Sequence, residues 1–154
     1  MKLTKVAQVC QISQMLAIIV HQDTLLETAI RHTVDNPNVR GIFLVDDADK
    51  LVGVVNSHDL LLWVRIHLGM APLKNTVSAG KLRQLLLAER ILDLARAGSQ
   101  LAAVQMDTSL AEVLDVMFQH DLVDIPVLDE NGRIVNDLRL SEVLAFTLKQ
   151  TSKE

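Results

Sequence analysis

The feature that most constrains this chain is that it repeats itself. Asp23-Thr24 returns as Asp107-Thr108, 84 residues later, while Asp46 returns as Asp129 and Asp59 as Glu142, each 83 residues later; one residue is lost in between. Self-similarity at a fixed offset marks a chain built from copies of one supersecondary unit. In the first copy, Leu25 to Val34 carries apolar residues at helical spacing and Ile42-Phe43-Leu44-Val45 reads as a strand. Asp46 to Asp49 follows as an acidic turn, Leu51 to Val55 as a second strand, and a helix runs from Asp59. The second copy keeps that order: helix Leu110 to Phe118, strand Ile125 to Leu128, turn Asp129-Glu130-Asn131-Gly132, strand Arg133 to Leu138, helix from Ser141. Short strands at Ala17 to Val20 and Ala102 to Val104 precede the two copies. Thr24 with Glu27, and Ser109 with Glu112, have the spacing of reciprocal helix caps. Leu25, Leu26, Ala29, Ile30 and Val34 are expected to form the buried face of the first helix.

The chemistry concentrates where each second strand hands over to its helix. Val54 and Val55 end a strand, and Asn56, Ser57 and Asp59 are residue types whose side-chain oxygens accept from the unpaired N–H groups of a helix start. Such a start carries about half a positive charge, which favours an anion or a hydroxyl-rich ligand lying across it.

The order Asp-Thr, amphipathic helix, Ile125-Pro126-Val127-Leu128-Asp129, turn, and Gly53-Val54-Val55-Asn56-Ser57-His58-Asp59-Leu60-Leu61 resembles the cystathionine β-synthase (CBS) domain. Two copies in one chain resemble a tandem CBS pair, or Bateman module, over nearly the whole sequence. The resemblance implies an α/β fold of two β-α-β-β-α repeats packed with pseudo-two-fold symmetry. The repeats would be residues 1–70 with an N-terminal lead-in and 99–154, separated by a connector and amphipathic helix at 71–98. It further implies a regulatory or sensor module that binds AMP, ADP, ATP or S-adenosylmethionine between the repeats and forms a homodimer through the helices after Asp59 and Ser141. By position, Asp59 would accept from ribose hydroxyls, and Asn56 stands where the family usually has Thr or Ser. Ile42, Phe43 and the backbone at Val20 and His21 would line the base. A rival of another class is a ligand-free assembly scaffold with degenerate clefts.

The second junction departs from that pattern at every motif position. Gly53 becomes Asn136, Asn56 becomes Arg139 and Asp59 becomes Glu142. Asn tolerates positive φ better than most residues, and Glu142 keeps the charge but extends it by a methylene. Arg139 either pairs with Glu142 and plugs the cleft, or reaches out to clamp a phosphate. On the first alternative the chain holds one adenosyl ligand at most, in the first half.

Composition narrows the remaining classes. The net charge of −4 excludes a nucleic-acid binder of the usual kind, because Lys81, Arg83, Arg90 and Arg96 are interleaved with Glu89 and Asp93. The single Cys10 leaves no internal disulfide, so the cytoplasm is the expected compartment. Gln8, Gln11, Ser13 and Gln14 break the N-terminal apolar stretch, and no run nears the roughly 20 residues of a spanning helix, so membrane insertion is not expected. His21, His32, His58, His67 and His120 form no zinc-ligand spacing, and Asp46 to Asp49 lacks the Gly and Glu of a calcium loop. With no nucleophile motif or phosphate-cradling loop either, the chain reads as a non-enzyme with no cofactor beyond a possible adenosyl ligand. A hydrophobic content of 49% implies a dense core or an apolar face kept for a partner. Between the copies, a connector from Gly69 to Gly80 containing Pro72 and Asn75 leads to Lys81 to Arg96, which reads as one amphipathic helix ended by Gly98. That helix would cross the sheet or mediate self-association.

Overall fold

All five residues of the Gly41–Val45 strand are buried, as befits an uninterrupted apolar run covered on both faces. The computed structural model describes residues 4–10, 17–70 and 77–153, so Pro72 and Asn75 of the connector lie outside the described residues. In chain order the elements are α1 (Val6–Val9), β1 (Ile18–His21), α2 (Leu26–Asp35), β2 (Gly41–Val45), β3 (Leu51–Asn56), α3 (Ser57–His67) and α4 (Ala79–Leu86). After two short 3-10 turns come β4 (Val104–Gln105), α5 (Leu110–His120), β5 (Asp124–Leu128), β6 (Ile134–Arg139) and α6 (Leu140–Thr151). The strands make two three-stranded sheets, β1-β2-β3 and β4-β5-β6, each with its first pair parallel and its second antiparallel. This is the α/β fold of two repeats that the sequence implies.

The hairpin turns are built alike. Asp46 Oδ1 accepts from the backbone N–H groups of Lys50 and Ala48 at 3.0 and 2.9 Å, and Asp129 Oδ1 accepts from those of Arg133 and Asn131 at 3.0 and 2.8 Å. The bonds from Lys50 and Ala48 hold the Asp46 carboxyl below its ordinary range. Asp49 and Gly132 supply the left-handed residues, at φ 60° and 79°. The two tips meet: Leu51 N–H donates to Gly132 O at 3.1 Å, and Lys50 bridges Arg133.

Each half is completed by a segment from outside its own repeat. Val6, Val9 and Cys10 pack in the core of the second half with Val113, Ile125, Val127 and Leu138. The lead-in is pinned there by backbone bonds from Val6 to Thr108 and from Leu110 to Thr4, at 2.9 and 2.7 Å. Conversely Leu85, Ile91 and Leu94 of the connector pack in the core of the first half with Ile42, Leu44 and Val55. Burying three such side chains contributes on the order of 1.5–3 kcal/mol each, which ties the connector to the first sheet.

Four local expectations are corrected. The helix expected over Lys81 to Arg96 stops at Leu86 and resumes as a 3-10 turn at Ile91–Leu94. Here Asp93 Oδ2 accepts from the N–H groups of Glu89 and Arg90, and the backbone of Glu89 and Ile91 is diverted to Leu26 and Thr24 at 2.9 Å. That diversion also explains why the Thr24–Glu27 cap does not form. The α2 N-cap is Leu25, with no side-chain acceptor, and the Glu89 carbonyl satisfies the Leu26 amide instead. The Ser109–Glu112 box forms as expected, and the Ser109 hydroxyl bond holds the Glu112 carboxyl low. Leu26 and Ala29 are buried, whereas Leu25 and Val34 are exposed, because the buried face is narrower than the apolar pattern. Gly53 is needed for space rather than for φ: a Cβ there would stand 3.3 Å from Ala95 Cβ and 3.4 Å from Ser99 Oγ, where the connector lies on β3.

Candidate ligand-binding site

At the first junction, Asn56 and Asp59 cap α3 reciprocally. Asn56 Oδ1 accepts from Asp59 N–H at 2.9 Å, and Asp59 Oδ2 accepts from Asn56 N–H at 3.0 Å. The other oxygen, Asp59 Oδ1, accepts from Arg96 Nε at 3.0 Å, so both oxygens of this buried carboxylate are engaged. Asn56 Nδ2 donates to Asp121 O in the other half at 3.3 Å. The capping groups of the first junction are thereby engaged by the chain's own residues.

Of the other residues expected at the first site, Ile42 and Phe43 pair with Val55 and Val54 beside Asn56, while Val20 and His21 lie toward the other end of β2. Ile18 pairs with Ile42 and His21 with Val45, whereas Asn56 pairs with Gly41 at the opposite end of β2. Val20 and His21 therefore do not meet Asn56 and Asp59. His21 is tied instead to the hairpin turn, with Nε2 2.6 Å from Asp47 Oδ1. Ile42 and Phe43 are buried in the cores, Ile42 in that of the first half and Phe43 in that of the second.

The second junction carries more charge and more space. Glu142 Oε2 accepts from Arg139 N–H at 3.0 Å, and Glu142 Oε1 lies 3.5 Å from Arg139 Nη2. Arg139 Nε lies 3.9 Å from Asp137 Oδ2. Asp124 and Asp137, 3% and 1% exposed, join Glu142 to place three buried carboxyl groups around one guanidinium. Burial first, then the neighbouring Asp137 charge, push the Asp124 carboxyl up to about 8. Cys10 Sγ donates to Asp137 O at 3.3 Å; burial, then Glu142 and Asp137, push that thiol up to about 11. Asp124 Oδ1 and both Asp137 carboxylate oxygens are buried without a hydrogen-bond partner among the described residues.

Beside this cluster a cavity of ≈ 400 Å³ opens between the halves. The second half contributes Val123, Asp124, Arg139, Leu140, Ser141 and Leu144, and the first half contributes Asn38 and Arg40. A larger hollow of ≈ 580 Å³ lies between the lead-in and α6, with Glu142 in its wall and no residue of the first repeat's strands. The smaller cavity is the better candidate, because it has walls from both repeats and the start of a 12-residue helix. Of the residues expected from the sequence, Arg139 lines it and Glu142 holds Arg139; Arg40, Asp124 and Ser141 were not singled out. Aligning the copies at 83 residues would have found Asp124 and Asp137, which replace Gly41 and Val54 inside the strands. Among the described residues no cluster of three or more His, Cys, Asp or Glu side chains is arranged to hold a metal ion, and no helix is long and apolar enough to cross a membrane.

A family model described as the CBS domain matches residues 15–66 and again 94–148. The chain belongs to the CBS domain family. A comparison with curated protein sequences finds no match. Among solved structures, a CBS domain-containing protein from Thermotoga maritima is 27% identical with a TM-score of 0.76, over 97% of both chains. CBSX2 in complex with AMP is 21% identical with a TM-score of 0.67, over 96% of this chain and 98% of that one. The CBS domain pair of protein MJ0100, in complex with 5′-methylthioadenosine and S-adenosylmethionine, is 17% identical with a TM-score of 0.65, over 96% and 98%. The two matched segments make this chain a CBS pair, and its two junctions are unequal.

Proposed function

We propose that this CBS pair is a non-catalytic regulatory module of the cytoplasm that binds one adenosine-containing ligand in the cleft at its second junction. The supporting observation is the ≈ 400 Å³ cavity walled by both repeats, set against a first junction whose capping groups are engaged by the chain's own residues. AMP in one structural neighbour, and 5′-methylthioadenosine with S-adenosylmethionine in another, indicate the ligand class. In this reading Arg139 and Glu142 form the floor of an occupied cleft, and Asp124 offers its unpaired Oδ1 to a ligand hydroxyl or amine. Asn56 and Asp59 keep the first junction shut. A thermal-shift screen against AMP, ADP, ATP and S-adenosylmethionine tests this. Ligand at 100 times its Kd contributes about 2.7 kcal/mol, which at this size is a rise of several degrees. No rise with any of them at millimolar concentration favours the rival reading, an assembly scaffold, which the closed first junction also suits.

We further propose that the module works as a homodimer. Leu61 on α3 and Leu68 just after it are both 66% exposed, and Leu144 and Leu148 on α6 are 54% and 67% exposed. These helices occupy equivalent places in the two repeats, so a two-fold partner covers both faces at once. Light scattering at tens of micromolar is expected to give about twice the 17.1 kDa chain mass, and Leu61→Glu with Leu144→Glu to give a monomer. A natural chain that scatters as 17.1 kDa would refute the dimer.

A further inference from the structure

The lead-in and the connector are built alike. Leu26 N–H donates to Glu89 O and Ile91 N–H to Thr24 O, both at 2.9 Å; one repeat on, Leu110 N–H donates to Thr4 O at 2.7 Å and Val6 N–H to Thr108 O at 2.9 Å. Leu25 bridges Arg90 as Ser109 bridges Lys5. Gln8 Oε1 accepts from Lys5 N–H at 2.8 Å, and Asp93 Oδ2 accepts from Arg90 N–H at 3.0 Å. Lys5 to Cys10 therefore stands on the second half where Arg90 to Ala95 stands on the first. One element breaks this symmetry. In the first half, α4 lies along α3 and against the 3-10 turn at Ile91–Leu94. Its Leu85 is fully buried in the core that holds Ile66, and Gln84 Nε2 donates to Asp93 O at 2.7 Å. The equivalent place in the second half, between the lead-in and α6, is the hollow of ≈ 580 Å³.

The repeat therefore shows what shape fits this hollow: an amphipathic helix laid along α6. Residue by residue it also shows the chemistry. Val9 stands for Leu94 and Phe146 for Trp63, so the floor stays apolar. Lys149, however, stands for Ile66 and Lys153 for Met70, which puts two cations four residues apart along one edge. Both lysines are exposed, and neither makes an ion pair among the described residues. Glu142, the acidic group in the wall, is taken up by Arg139. A helix with carboxylates beside its apolar stripe complements this edge. A second copy's α4 does not, because it brings Lys81 and Arg83. Glu142, Phe146 and Lys149 lie roughly half a turn around α6 from Leu144, so the groove opens away from the proposed dimer face, with Leu148 between them.

We infer that the groove between the lead-in and α6 docks an amphipathic helix of a partner protein, apolar toward Val9 and Phe146 and acidic along the edge facing Lys149 and Lys153. This does not depend on what the cleft between the halves holds. Two fluorescein-labelled, helix-stapled peptides test it on the full chain: residues 78–88 as they stand, and the same segment with Lys81→Glu and Arg83→Glu. Both present Leu82 and Leu85, the stripe that α4 turns to the first half. In fluorescence anisotropy the acidic peptide is expected to bind one per chain, about five-fold or more tighter than the unaltered one, because two edge contacts change from repulsive to attractive. Lys149→Glu with Lys153→Glu is expected to reverse that order. Both positions are exposed, so the double variant keeps the fold, which its melting temperature checks. Backbone amide shifts with the acidic peptide are expected at Gln8, Val9, Phe146 and Lys149. No saturable binding of the acidic peptide at millimolar concentration, equal binding of the two peptides, an order unchanged in the double variant, or shifts confined to Leu61 and Leu144 overturns the inference. Tighter binding of the unaltered peptide to the natural chain also overturns it, and makes a second copy's α4 the occupant.

Discussion

Asp59→Ala is expected to lower the unfolding free energy by about 3 kcal/mol, the sum of a lost helix cap and a buried amide left without an acceptor. Its carboxylate takes the buried Asn56 N–H on one oxygen and Arg96 Nε on the other, at 3.0 Å each. An alanine leaves Asn56 as a one-way cap and strands the amide that Asp59 had satisfied. For a chain of this size the melting temperature falls by roughly 6–12 °C. Asp59→Asn keeps one acceptor oxygen and is expected to lose about half as much. Urea denaturation with a constant slope checks this; a variant within about 0.5 kcal/mol of the natural chain would show that the cap and the Arg96 pair contribute little. From the sequence, the same substitution is expected to leave the fold nearly intact, since Asn56 and Ser57 look like sufficient caps. The structure corrects that, because Asn56 and Asp59 form one reciprocal unit.

Asp124→Asn is expected to stabilise the chain at alkaline pH. Folded, Asp124 keeps its proton up to about pH 8, whereas an unfolded aspartate releases it near 3.9. Between those values folded Asp124 binds more protons than unfolded Asp124, so its contribution to stability is highest in acid, falls as pH rises, and levels off above about pH 8. Asparagine keeps the shape but cannot ionise. The contribution of this site to the slope disappears, and at about pH 9 the variant melts at least 2–4 °C higher, the shift for each 1 kcal/mol at this size. Melting curves at intervals from about pH 5 to pH 9 check this. Parallel pH profiles for the two proteins would mean that Asp124 is not the group holding the proton.

Much of the fold was legible because its signals are local. Turn chemistry at Asp46 and Asp129, apolar strand runs and the 83-residue offset needed no long-range information. The break after Leu86 was hidden because its cause is distant: the Leu26 amide and the Thr24 carbonyl draw the backbone of Glu89 and Ile91 away from the helix. Where Val20 and His21 fall along β2 was hidden for a similar reason, since the register of a parallel pair is not written in either strand alone. The strand-to-helix junctions were legible, but not the partners of their side chains. Arg96, 37 residues from Asp59, pairs with it from a connector that the repeat pattern does not include. The pairing of Arg139 with Glu142 was anticipated, whereas the buried Asp124 and Asp137 beside it were not. They disrupt an apolar strand pattern without spoiling the strand, and their proximity depends on β5 pairing with β6.

The unequal junctions lead to one direct measurement: a titration of the 15N-labelled chain with AMP, followed by backbone amide NMR. If the second cleft is the ligand site, saturable shifts are expected at Arg40, Val123, Asp124, Leu140 and Ser141, the residues that line the cavity, with Asn56 and Asp59 little changed. Shifts centred on Asn56 and Asp59, or no saturable shifts at millimolar AMP, would contradict the account.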